Sequence, residues 1–367
     1  MNPSQPWYKY NIQIIPEPPT PPVTDTTIYL SSSGTSFAPR LHLFDGYDAE
    51  VTWTFSDGST SSSLTPTVSF GSSAVREHTL QVSPPSAIHA LNFGYNGADG
   101  GEIYSSLAEY QHTTTNINTI SNIVNGAPNL ERFFANNTPI TSVDFTGCDN
   151  LQIADLYSSD AATVNFSGCT ALLRACLEET NISVFDLSDA EFIEDVRGRY
   201  RELNVILGNV SNMWHLCVGN GTITGINSIL NGTIEMPVLR ELFLWNGYIT
   251  SAFTPRCTAT NIDAAVNNFT SFSSENITWI GNGRLNLSSC QSIASVNLTG
   301  SANALEYVNF YNCLFSQTLV DYILGVFAGG TRSDGTLIIN NNSIPSATGL
   351  DYVTTLRARG WTVTVDT

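Results

Sequence analysis

Few side chains in this 367-residue chain have the type and spacing for bond chemistry. The five histidines, His42, His78, His89, His112 and His215, are scattered, and no two make a His-x-x-x-His pair of the kind that holds a metal on one helix face. His78 belongs to a strand-like run. His215 falls on an outward position with no carboxylate or cysteine partner visible in the sequence. Asp45, Asp48 and Asp57 could surround a surface calcium ion, although loop aspartates more often close turns. Arg197, Arg199 and Arg201 lie among Glu191, Glu194 and Asp195, as a solvated ion-pair loop or a partner contact. There is no Gly-x-Ser-x-Gly elbow and no phosphate-binding Gly-x-x-x-x-Gly-Lys-Ser loop. These residues imply no catalytic set, no metal set and no cofactor, so the expectation is a non-catalytic protein.

The elements that would position any site are set by a repeat. From Leu130 to Glu191 the chain recurs every 21 residues. Leu130, Leu151 and Leu172 align, as do Phe133, Ala154 and Ala175, and then Ala135, Leu156 and Leu177. A second half aligns Ile140, Ala161 and Ile182, then Val143, Val164 and Phe185, then Phe145, Phe166 and Leu187. Neither half can bury its apolar side alone, so the blocks must stack as a solenoid. The motif returns at Met213/Leu216/Val218, Leu239/Leu242/Leu244 and Leu305/Val308/Phe310, with weaker copies near Ile262 and Leu285. The mixed-charge run from Glu191 to Arg201 reads as an insertion. Ile103 to His112 and Ile117 to Val124 have helical spacing, stopped by Gly126.

The Leu-x-x-Leu-x-Leu half is that of a leucine-rich repeat. With its second half, Val143-Asp-Phe-Thr-Gly-Cys148, it resembles the BspA-like repeats of bacterial surface proteins. That resemblance implies a solenoid over residues 85–316, closed by a capping α/β segment over 317–367. Within the cap, Thr318 to Ala328 is expected to be helical, Leu337-Ile-Ile a strand, and Ser346 the N-cap of a helix burying Leu350, Val353 and Leu356. Trp361 to Val365 is the last strand. Trp53-Thr-Phe-Ser-Asp-Gly58 and His78-Thr-Leu-Gln-Val82 resemble the PKD-type immunoglobulin-like domain, with Ser56 where that family has glycine. This implies a small β-sandwich over 27–84 with Trp53 in its core. The fold class expected is therefore mainly β: a small sandwich, then an irregular leucine-rich-repeat solenoid with an α/β end.

Residues 1–26 read as an extended arm. Trp7, Tyr8, Lys9, Tyr10, Ile12, Ile14 and Ile15 precede the run Pro16-Glu-Pro-Pro-Thr-Pro-Pro22, a semi-rigid spacer. They are too apolar for a free tail and suit docking on a partner. Repeat positions facing solvent carry Tyr157, Trp214, His215, Phe243, Trp245, Tyr307 and Tyr311, an aromatic surface suited to protein or sugar contacts.

The net charge is −18 and Lys9 is the only lysine, which argues against nucleic acid and anionic lipid as partners. No stretch is long and apolar enough for a membrane helix, and Met1 to Thr20 lacks signal-peptide character. Cys148, Cys169, Cys176, Cys217, Cys257, Cys290 and Cys313 form no Cys-x-x-Cys pair and read as buried thiols. Asn-x-Ser/Thr sequons such as Asn181-Ile-Ser and Asn297-Leu-Thr fall at repeat corners, where Asn and Thr satisfy backbone groups. The expectation is a phage virion component, decorating a head, fibre or tail, docked on capsid or other virion proteins by its arm and reaching a host glycan or surface protein with its aromatic face. The alternative is a bacterial cell-surface adhesin. A homo-oligomer is compatible with either.

Overall fold

A computed structural model describes residues 25–94, 115–198, 204–219, 235–245 and 250–367, and the backbone of 223–224. The docking-arm residues Trp7 to Ile15, the segment Ile103–His112, and Arg199 and Arg201 lie outside the described residues.

The chain is mainly β, and its spine is one 14-stranded sheet. Parallel strands run from Ile88–Asn92 through Arg132–Phe134, Ile153–Asp155, Arg174–Cys176, Asp195–Gly198, His215–Val218, Glu241–Phe243, Arg256–Asp263, Ile277–Asn286, Leu305–Asn309 and Gly335–Ile338 to Trp361–Thr364. The expected register is present: Phe133 pairs with Ala154 and Ala154 with Ala175, each one repeat apart. The second half of each block forms short ladders on the opposite wall, such as Ser142–Asp144 with Thr163–Asn165 and Val184–Leu187 with Asn204–Leu207. Two walls of alternating residues make a β-solenoid with an apolar interior. Leu130, Leu151 and Leu172 stack there with Leu156 and Leu177, all at most 2% exposed. Phe145 and Phe166 stack as parallel rings 5.5 Å apart. Val164, expected in this core, is only half-buried.

The corners explain the Asn, Ser and Thr content. At the end of a strand, an Asp or Asn side chain accepts the N–H two residues on, closing the turn. Asp144 does this for Thr146, Asn165 for Ser167, Asn209 for Ser211, Asn286 for Ser288 and Asn297 for Thr299. Four of these five are also sequons, so that pattern is corner chemistry. At the other corner, left-handed residues recur at Asn137, Ser158 and Glu179 and again at Val266, Ser289, Asn312 and Asn341. The next residue points inward and serves the corner carbonyls: Thr138 and Thr180 donate to Ala135 and Leu177, and Asn267 and Asn342 each donate to three carbonyls. Cys290 and Cys313 fill the same place, each thiol donating to a carbonyl of the preceding turn. All seven cysteines are buried, and none forms a disulfide. Burial pushes the Cys148 and Cys169 thiols up to about 12, which removes their nucleophilic form at neutral pH.

Val266 is the misfit in the left-handed series. It is β-branched, half exposed, and sits at φ 58°. Val266→Gly is expected to stabilise the fold by about 1 kcal/mol, because the left-handed backbone costs a β-branched residue roughly that much. An unchanged or lower denaturation midpoint would contradict this.

Two further expectations need correction. Ile117–Ser121 is a strand, not a helix: its β-branched residues pair antiparallel with Ile28–Ser32, extending a five-stranded sheet that also holds Glu50–Thr54 and Arg76–Ser83. Glu191 to Arg201 is not an insertion over its described part. Ile193 and Val196 are buried one repeat after Leu172 and Ala175, and Asp195–Gly198 pairs in register on both sides. Hydrogen bonding also crosses residue 84, since Arg40–Leu43 pairs antiparallel with Ile88–Asn92. Trp53 is fully buried, its indole N–H donating to the Ser63 carbonyl.

Near the C-terminus, helix Gln317–Gly329 packs on helix Ala347–Ala358, whose N-cap Ser346 accepts from the Gly349 N–H. Val353 and Leu356 are buried, whereas Leu350 is exposed. The strand over Gly335–Ile338 and the last strand, Trp361–Thr364, lie where the sequence places them. No helix among the described residues is long and apolar enough to cross a membrane.

Candidate functional site

The outer side of the parallel sheet carries the aromatic residues. Strand alternation turns Leu216 and Leu242 inward and His215, Cys217, Glu241 and Phe243 outward. Trp214 lies one residue before its strand. Trp245 follows its strand, as Tyr157 and Tyr311 follow theirs.

Four of the expected residues meet. Trp214 lies 5.5 Å from His215, His215 5.7 Å edge-on to Phe243, and Phe243 5.4 Å from Trp245, measured between ring centroids. This chain of rings crosses two adjacent strands. Beside it Asn212, Trp214, Val238 and Arg240 line a cavity of about 410 Å³. The other three stand apart. Tyr307 is covered by the Arg284 guanidinium, 4.5 Å from its ring. Tyr311 is 39% exposed and its hydroxyl accepts from Asn341. Tyr157 is half-buried at an earlier corner, its N–H donating to Asp155.

His215 departs from the expectation. Its position faces out, but the side chain is buried and has a carboxylate partner. Nδ1 lies 2.6 Å from Asp195 Oδ1, and Nε2 faces Glu241 at 3.9 Å. Asp195 is itself buried and also takes the Arg197 Nε–H at 3.1 and 3.2 Å. Phe134, on an outward position of an earlier strand, is likewise fully buried. The Asp195 signal was hidden because its partner lies 20 residues on, one turn away. Sequence reading also missed Glu241 and Arg240.

An Asp–His pair of this kind can serve as a general base when a substrate proton reaches the free ring nitrogen. Here the imidazole is 5% exposed and packed between Trp214 and Phe243. The pair holds the imidazole against both aromatic rings. Among the described residues no three His, Cys, Asp or Glu side chains gather as a metal set. Asp57 is a turn former, accepting both the N–H and the hydroxyl of Ser59, and these bonds hold its carboxyl below the usual range.

A second concavity lies where Arg40–Leu43 meets the first parallel strand. His42, Leu43, Phe44, Asp45, Tyr47, His89 and Asn129 line about 620 Å³. Phe44 stacks on His89 at 4.7 Å, and His89 Nε2 lies 3.1 Å from Glu131. No protein-family model matches the chain, and no curated protein or solved structure matches it.

Proposed function

We propose that this protein is a non-catalytic attachment protein that holds a host-surface ligand on the outer side of its parallel sheet. The observation that carries the reading is the ring chain Trp214–His215–Phe243–Trp245, anchored from below by the buried Asp195–His215 pair. Aromatic side chains on rigid strands lose little freedom on binding and supply most of the contact energy of an interface. The open cavity beside Trp214 and Arg240 gives the ligand a place to enter.

In this reading the chain is a phage virion component. The aromatic, proline-rich composition of residues 1–26 supports docking on capsid or other virion proteins. The leucine-rich-repeat and PKD-like resemblances fit a projecting sandwich followed by a capped solenoid. The same resemblance supports a bacterial cell-surface adhesin as the second reading.

Trp214→Ala with Trp245→Ala is expected to weaken adsorption of the purified chain to host cell envelopes at least about thirtyfold, the ~2 kcal/mol of a typical aromatic anchor, while the melting curve stays cooperative. Deleting residues 2–22 is expected to spare adsorption and abolish incorporation into particles. Unchanged adsorption by the double variant would refute the binding face. Normal incorporation of the truncated chain would refute the docking arm.

A further inference from the structure

The two cavities lie on one edge of the same sheet. Backbone N–H groups donate stepwise from Glu131 to His89, Gln152 to Glu131, Leu173 to Gln152, Glu194 to Leu173 and Trp214 to Glu194. Each step is one strand spacing, so five steps of ~4.8 Å place His89 about 24 Å from Trp214. Between them runs a row of half-buried side chains, three of which, Glu131, Gln152 and Glu194, offer carboxylate or amide oxygens.

The lining of the Phe44–Tyr47–His89 cavity narrows what can bind there. Tyr47, 45% exposed, and Phe44 offer ring faces, while Asp45, Asn129 and the imidazoles of His42 and His89 offer hydrogen-bonding groups. Among the described residues no lysine or arginine lines it, so a phosphate or sulfate would meet no cation. An apolar ligand would cover the exposed Asp45 carboxylate without offering it a hydrogen bond. A molecule with apolar C–H faces and a rim of hydroxyls satisfies both sets at once: the faces stack on aromatic rings and the hydroxyls pair with carboxylate, amide and imidazole. A neutral sugar has that structure. The net charge of −18 disfavours an anionic one.

We propose that the ligand of the binding face is a neutral polysaccharide, lying along this edge from the Phe44–Tyr47–His89 cavity to the Trp214–Arg240 cavity. The inference rests on the binding reading above and adds the ligand's class and direction. A pyranose chain repeats at close to one strand spacing, so successive sugars stay in step with successive turns. About five or six units reach both cavities.

The test is calorimetric titration of the full chain with neutral hexose and N-acetylhexosamine oligomers of increasing length, with polygalacturonate as an anionic control. Affinity for the matching neutral series is expected to rise with length and level off once the oligomer spans both cavities. Tyr47→Ala, at an exposed site outside the core, is expected to weaken the long oligomers at least tenfold. If cell envelopes still bind in a Trp214-dependent manner but no neutral oligomer does, or if Tyr47→Ala binds as wild type, this inference is overturned and the binding face stands. If Trp214→Ala changes neither, both fall.

Discussion

Leu156→Asp is expected to unfold the solenoid under conditions where wild type is stable. Leu156 is fully buried, one repeat from Ala135 and Leu177, which are equally enclosed. A carboxylate there has no partner in a row of apolar side chains. Burying an unpaired charge costs several kcal/mol even after relaxation, and the leucine's own burial of roughly 2–3 kcal/mol is lost as well. That sum approaches the whole stability of many domains, about 5–15 kcal/mol. Each turn contacts only its neighbours, so one broken turn removes the support of the next. Thr163→Asp, on the exposed wall of the same turn, is the control and should be near neutral. A wild-type melting temperature for Leu156→Asp would mean that the register is wrong.

Acid should weaken the N-terminal sheet through His78. This side chain is 2% exposed, lies 4.4 Å from Phe37 in a stack, and has Phe70 and Phe55 nearby. Nε2 bonds the Ser32 hydroxyl at 2.8 Å, and Nδ1 has no hydrogen-bond partner. Burial, with help from Arg76, holds its pKa at about 4 against an ordinary 6.5, with Asp57 opposing. The unfolded chain therefore binds a proton that the folded chain refuses between those values. Stability is full above pH 6.5 and falls as pH drops to 4, by up to about 3 kcal/mol at 1.36 kcal/mol per pH unit. His78→Phe should flatten the profile between pH 6.5 and 5, above the range in which most carboxylates titrate. An equally steep profile in that variant would assign the acid sensitivity elsewhere.

The repeat was legible because stacking makes each turn bury the same positions, so Leu130, Leu151 and Leu172 carry the period openly. Asp195–Gly198 was not legible as a strand because its outward positions hold Asp195 and Arg197, and a charged pair reads as a loop until the partner one turn away, His215, is known. Ile117–Ser121 misled for a related reason. Its apolar spacing is compatible with a helix, and a distant partner, Ile28–Ser32, decides in favour of a strand. Of the candidate site, the aromatic types were legible and their grouping was not. Trp214 and Trp245 meet through His215 and Phe243 only because adjacent strands 26 residues apart align His215 with Glu241 and Cys217 with Phe243. The cavity at Phe44 and Tyr47 was invisible for the same reason, since His89 and Asn129 reach it from other segments.

The most direct test of the binding face is oxidative footprinting of the full chain with and without host cell envelopes. The account predicts that Trp214 and Trp245 become protected on binding, while exposed side chains elsewhere, such as Leu314 and Val75, oxidise as before. Protection confined to residues outside the outer side of the parallel sheet, with Trp214 and Trp245 unchanged, would contradict it.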